Sequence, residues 1–262
     1  MRAGLLAAIL CGLFAAASAS ADVVDIRSRG ETTRMLVEPP DGPSGAPAGV
    51  AVLFAGGGGV LKITEDGVVR KLKGNFLVRS AGLFRDHGFV TAVIDGPSDR
   101  PYDLFGFRGT EDHAQDIGAA IAYLRATYKA PVWLVGTSRG SMSAANGAVR
   151  LQGAAGPDGI ALTSSVLVDN AKGDHVLMYD LDAVRVPVVI AHHRSDGCKV
   201  TPPEALASLE GALKHAKAVK TLWFEGGVDR GNPCQARGHH GFAGIEGAVV
   251  AALAQAMKDF SR

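Results

Sequence analysis

Gly136-Thr137-Ser138-Arg139-Gly140 is a G-x-S-x-G pentapeptide in a chain of 262 residues. It follows the apolar run Pro131–Val135 and precedes a stretch rich in Ser, Ala and Gly. A serine between a strand and a helix, with small residues two positions either side, suits a sharp reversal that lifts the hydroxyl above a sheet. The blander account is a strand-to-helix turn in which Ser138 only caps the helix. A serine of ordinary pKa is a weak nucleophile and needs a base, itself oriented by an acid. Downstream lie Asp196, in Ser195-Asp196-Gly197, and the pair His239-His240 before Gly241-Phe242. Either taken alone reads as a turn or a surface pair. Taken together they follow the order Ser, Asp, His that a nucleophile on such a turn requires. At this point either histidine serves as the base.

A fourth group belongs to the same chemistry. Gly56 to Gly59 follow the apolar run Gly49–Phe54. Acyl transfer needs backbone N–H groups aimed at the developing oxyanion, and glycine lets the backbone approach closely. Gly57 and Gly58 are the candidate donors from this loop, and the N–H of Arg139 is the second. The rival reading, a phosphate cradle, lacks the Lys-Ser/Thr that follows a P-loop; a plain flexible loop is the other alternative.

These groups need elements to hold them. Val23–Arg29 and Thr32–Glu38 read as a hairpin around Arg29-Gly30. Leu61–Leu72 reads as a second, turning at Asp66-Gly67. Further strands are expected at Gly49–Phe54, Phe89–Asp95, Pro131–Val135, Ala161–Leu167, Val186–His192 and Lys217–Glu225. Helices are expected at Asn75–His87, from the Thr110 cap to Tyr128, at Ser138–Gln152, at Pro203–Lys214 and at Gly244–Phe260. Strands alternating with helices predict an α/β fold, with a mostly parallel sheet and helices on both faces. Asp196 and the histidine pair then fall at C-terminal strand ends, where open sheets of this kind place their sites.

Composition fits a globular chain: 47% hydrophobic and 20% charged residues. The formal net charge of +1 supplies no basic footprint, so nucleic acid is not an expected partner. Arg2, the apolar stretch Ala3–Ala16 and Ala19-Ser20-Ala21 have the form of a signal peptide over residues 1–21. A single domain over 22–262, exported to the periplasm or beyond, is the expectation. No later segment offers enough uninterrupted apolar residues to span a membrane. After cleavage two cysteines remain, Cys198 and Cys234.

With these residues in place, the chain resembles the α/β-hydrolase superfamily, closest to exported serine hydrolases of the dienelactone-hydrolase-like kind. The resemblance rests on the strand-glycine loop, Gly136-Thr137-Ser138-Arg139-Gly140, Ser195-Asp196-Gly197 and His240-Gly241-Phe242. It implies an eight-stranded, mostly parallel sheet, with Ser138 as nucleophile, Asp196 as acid and His240 as base. It also implies cleavage of an ester, lactone or amide bond in a small-molecule acyl substrate, with no metal or organic cofactor. Ser138 stands where the dienelactone hydrolases carry cysteine, and Ala55 stands where many lipases open the loop with histidine. A non-catalytic binding protein on the same fold and a perhydrolase-like enzyme are the alternatives.

If Asp196 and a histidine of the pair meet, their loops are neighbours and Cys198 and Cys234 come together; an exported chain would bridge them. Adjacent histidines point apart, and His240, before Gly241, is expected at the loop tip with His239 turned away. Tyr102, Phe105, Phe107 and Arg108 could form a pocket lip. Arg108 and Arg139 could hold a substrate carboxylate, against a blander role in surface salt bridges. His113 and Asp116 are spaced to touch each other on their helix. His192 and His193 point to opposite strand faces and cannot easily share a metal. Too few residues separate Leu167 from Val186 for a large cap domain, which predicts a fairly open site.

Overall fold

The computed structural model describes residues 21–40 and 45–262. Apart from Ala21, the signal-peptide expectation for residues 1–21 lies outside them. Eight strands form one sheet: β1 (Asp22–Ser28), β2 (Glu31–Glu38), β3 (Gly49–Phe54), β4 (Phe89–Pro97), β5 (Val132–Thr137), β6 (Gly159–Thr163), β7 (Val188–His193) and β8 (Val219–Phe224). Their order is β1-β2-β4-β3-β5-β6-β7-β8. The pairs β1/β2 and β2/β4 are antiparallel, and every pair from β3/β4 to β7/β8 is parallel. Among the described residues six α-helices accompany it: α1 (Phe76–Arg79), α2 (Ala81–Asp86), α3 (Glu111–Tyr128), α4 (Gly140–Arg150), α5 (Leu206–Ala212) and α6 (Glu246–Phe260).

The side-chain period of two explains the layering. Val50, Val52 and Phe54 of β3 pack on one face with residues of α3, α4 and α5, while Ala51 and Leu53 pack on the other with residues of α1, α2 and α6. A strand covered on both faces must be apolar throughout, which is why Gly49–Phe54 shows no alternation. The first hairpin forms as expected. Arg29 and Gly30 both take positive φ, 55° and 85°, the geometry of a type I′ turn. Arg29 then forks onto the carboxylate of Asp116 at 2.9 and 2.7 Å, fixing the turn against α3.

Two expected elements differ. Residues 61–72 make only one bridge, Ile63 to Val69, around the Asp66-Gly67 turn. The N–H groups of Leu61 and Ile63 go instead to the Asp95 carboxylate, at 2.6 and 2.8 Å, so no ladder forms. The expected helix 75–87 breaks into α1 and α2 at Ser80, whose ψ of 6° leaves the helical range. The expected helix 203–214 begins as a 3-10 turn at Pro203–Ala205, and the strand of 161–167 ends at Thr163. Between β6 and β7 the chain makes two short 3-10 turns, and Val176, Leu181 and Val184 bury themselves in the core. That segment lies on the body of the protein and forms no cap domain.

Candidate active site

Ser138 sits between β5 and α4 with φ of 51°, a left-handed conformation that costs a non-glycine residue about 1–2 kcal/mol. The turn is held by its N–H donating to Thr163 O at 2.9 Å and by the Ser141 hydroxyl donating to Ser138 O at 2.6 Å. The two flanking glycines have a steric cause. A Cβ on Gly136 would stand 2.2 Å from Gly140 O, and one on Gly140 would stand 2.0 Å from Phe54 O. Neither position tolerates any side chain. Ser138 is itself only half-buried.

The acid and base loops converge beside it. His240 donates from Nδ1 to Asp196 Oδ2 at 2.9 Å. In the neutral ring that proton leaves Nε2 as the acceptor. The Thr201 hydroxyl donates to the same Oδ2 at 2.9 Å, and the Cys198 N–H donates to Oδ1 at 3.0 Å. Burial alone would raise the Asp196 pKa. The hydrogen bond and charge of His240, with the Cys198 N–H, outweigh it and hold the carboxyl below its ordinary value. His239 faces elsewhere: its Nδ1 lies 3.1 Å from Ser195 O, and its ring stacks on His193 at 4.1 Å. The His240 loop is anchored by Phe242, buried against Phe76 and Phe224. Gly241 is required because a Cβ there would meet Ala236 O at 2.3 Å.

Ser138 and His240 border one small cavity of about 50 Å³, together with Gly56, Gly57, Asn75 and Cys234. A Cβ on Gly56 would stand 2.9 Å from Cβ of Ser138, so this loop is in direct contact with the serine. Gly57 borders the cavity, whereas Gly58 backs onto Asp103 and its carbonyl accepts the Leu104 N–H at 2.9 Å. Arg139 stands immediately before α4, where the N–H groups lie outside the helical ladder. Cys198 and Cys234 are joined by a disulfide that ties the Asp196 loop to the His240 loop.

Other expectations resolve differently. Arg108 is fully buried, so it forms neither a lip nor a surface salt bridge. Arg139 bonds Asn170 Oδ1 and lies 5.2 Å from the Phe105 ring, and among the described residues it forms no salt bridge, Asp174 acting on it only at longer range. Tyr102 is exposed away from the cavity, and Phe107 packs with Val60 and Leu104. His113 and Asp116 do not meet: His113 Nε2 lies 2.9 Å from the Ser143 hydroxyl, and Asp116 takes Arg29. The two are three residues apart, yet each reaches a different buried partner. Burial, aided by Arg108 and Arg29, pushes His113 down to about 3. His192 donates to Thr201 O at 3.0 Å, and burial outweighs nearby Asp196 to bring it to about 4. His193 accepts the Ser195 N–H on Nδ1 and donates from Nε2 to Gly226 O, so each histidine satisfies backbone groups on its own face. Among the described residues no cluster of three His, Cys, Asp or Glu could hold a metal, and no helix is long and apolar enough to cross a membrane. Asn75 and Thr201 were not singled out by the sequence; both are polar loop residues of common type, without a motif around them.

The parallel sheet, its antiparallel edge and the placement of these loops at C-terminal strand ends define the α/β-hydrolase fold. Solved structures agree. The chain is similar to a dienelactone hydrolase from Anabaena variabilis, with TM-score 0.59, 14% identity and coverage of 93% of this chain and 97% of that one. An esterase from Pyrococcus furiosus superposes with TM-score 0.64 at 12% identity, over 93% and 92% of the two chains. A lidless α/β serine hydrolase from Xanthomonas campestris gives 0.58 at 14%, over 91% and 92%. No family model and no curated protein matches the sequence.

Proposed function

We propose that the protein is an exported serine hydrolase of carboxylic esters or lactones. The observation that carries this reading is the shared cavity. Ser138, on a strained strand-to-helix turn, borders the same small space as a histidine whose Nδ1 is fixed on a buried carboxylate. In this mechanism Ser138 Oγ attacks the carbonyl carbon while His240 Nε2 accepts its proton. The carbonyl oxygen becomes an oxyanion held by the N–H groups of Arg139 and Gly57, with the positive end of the α4 dipole behind it. Collapse expels the leaving group, which takes the proton from His240. Water then repeats the sequence on the acyl-enzyme, and Asp196 orients the imidazolium throughout. The disulfide supports passage through an oxidising compartment.

Two features bear on the substrate. The cavity at Ser138 is far below the 300–1,000 Å³ of a drug-sized pocket, which supports a short acyl group. Ala236 also borders a cleft of about 550 Å³ carrying Arg79, Arg230 and Arg237. Its one acid, Glu246, is already paired with Arg79 at 2.9 Å, which supports a leaving portion of negative charge. Hydrolysis of a p-nitrophenyl ester series tests the reading: turnover should be greatest for acetate and fall steeply with chain length. No turnover of any member would count against it.

A further inference from the structure

The strand-following loop of four glycines encloses a guanidinium. Arg108, on the loop after β4, is buried and sends Nη1 to the Ser143 hydroxyl at 2.7 Å. Its Nη2 donates to Ala55 O at 3.0 Å and to Gly57 O at 3.4 Å. Gly59 makes the room: its φ is +79°, and a Cβ there would stand 2.1 Å from Nη2. The last glycine of the run therefore serves the arginine and not the cavity.

A buried charge ordinarily has a counter-ion, since removing a cation from water costs several kcal/mol even after relaxation. Arg108 has no carboxylate partner among the described residues: its acceptors are two carbonyls and one hydroxyl. Burial brings Arg108 down to about 10, opposed by the Tyr179 phenol and helped by a second cation, Arg139. The N-terminus of α4 adds more positive potential in the same place. The resting protein thus holds a buried guanidinium, bonded to no carboxylate, directly behind the glycine loop.

We propose that Arg108 is a positioning residue for the oxyanion site. It holds the peptides whose carbonyls belong to Ala55 and Gly57, and its charge is compensated when the tetrahedral intermediate carries an oxyanion in front of that loop. The inference rests on the serine-hydrolase reading. Donation to the carbonyls of Ala55 and Gly57 fixes the two peptides that flank the Gly56–Gly57 peptide carrying the Gly57 N–H, so the arginine acts through the backbone and never touches substrate. Such a group stabilises the transition state more than the ground state, the condition for raising kcat. His113, which shares the Ser143 hydroxyl, stays neutral and adds no competing charge.

The test is the rate at which Ser138 is phosphonylated by an alkyl fluorophosphonate, which develops negative charge on oxygen without needing the natural substrate. Labelling of the wild-type chain tests the hydrolase reading; the ratio of variant to wild-type rate tests Arg108. Arg108→Gln, folded by near-ultraviolet circular dichroism, should label about 10- to 100-fold more slowly, below the full loss of an oxyanion donor. Arg108→Lys, which keeps charge without the fork, should recover part of that rate. On a p-nitrophenyl ester the loss should appear in kcat with KM unchanged. If Arg108→Gln does not fold, Ser143→Ala decides, because it removes one acceptor from the guanidinium with little cost to the helix; it should slow labelling about three- to tenfold. A wild-type labelling rate in folded Arg108→Gln, or in Ser143→Ala where that variant decides, overturns the inference. Absence of labelling in the wild-type chain overturns the hydrolase reading beneath it.

Discussion

Asp196 Oδ2 accepts from both His240 Nδ1 and the Thr201 hydroxyl, each at 2.9 Å, and Asp196 and His240 flank the Cys198–Cys234 disulfide, one just before it and one just after it in the chain. With the Cys198 N–H on Oδ1, the carboxylate already has three donors before any substrate arrives. Asp196→Asn should retain the fold and lose several orders of magnitude in kcat, because an amide no longer selects the Nδ1–H tautomer. His240→Ala should lose about as much, since groups acting as one unit fail together. His239→Ala should cost little, as that ring stacks on His193. Steady-state rates for the three variants check this; an inactive His239→Ala beside an active His240→Ala would reverse the assignment.

The disulfide closes a loop of 36 residues. In the chain-entropy picture that constraint contributes about 3–4 kcal/mol. Cys198→Ser with Cys234→Ser should lower the urea midpoint accordingly. Activity should also fall, because the bridge holds the acid loop against the base loop. Unreduced protein from which residues 1–21, and with them Cys11, have been removed should take up no iodoacetamide, native or unfolded in urea. Unchanged stability in the double variant would show that neighbouring contacts alone fix the loops.

Acid should destabilise the protein early. His113 and His192 are buried with pKa values brought down to about 3 and about 4, while in the unfolded chain both titrate near 6.5. Between those values the unfolded state binds the extra protons, so stability falls as pH drops below about 6.5. Each histidine contributes a slope of about 1.4 kcal/mol per pH unit, ending near pH 4 for His192 and near pH 3 for His113. Urea midpoints from pH 7 to pH 4 measure the slope. His192→Gln should flatten it by one histidine's share; an unaltered slope would exclude that residue.

The arginine cleft gives a prediction on substrate charge. Arg230 and Arg237 are exposed and without acidic partners among the described residues, so they are free to meet an anion. Arg230→Ala with Arg237→Ala should raise KM for a carboxylate-bearing ester about two- to fivefold, with no change for a neutral ester of equal size. Added salt should erase the difference. Equal effects on both esters would remove charge from the account of specificity.

Much of the site was readable because its demands are steric and local. Gly136 and Gly140 cannot be anything else, and a buried parallel strand must be apolar on both faces, so the Ser138 turn stands out in the sequence. The Asp196 and His240 loops followed from chain order and strand ends. What escaped was set by long-range partners. Nothing near Arg108 in sequence announces that it would run inward to Ala55, Gly57 and Ser143. Thr201 is an ordinary threonine until the loop folds back on Asp196. The hairpin expected at 61–72 failed because Asp95, some thirty residues on, claims its N–H groups. The break at Ser80 likewise has no breaker residue to mark it.

Mass spectrometry of the chain after treatment with a fluorophosphonate tests the central claim most directly. The account predicts one adduct per molecule, mapped by peptide sequencing to Ser138, absent from Ser138→Ala and slowed in Asp196→Asn. Labelling elsewhere, no labelling under conditions that saturate a known serine hydrolase, or ester turnover by Ser138→Ala at the wild-type rate would contradict it.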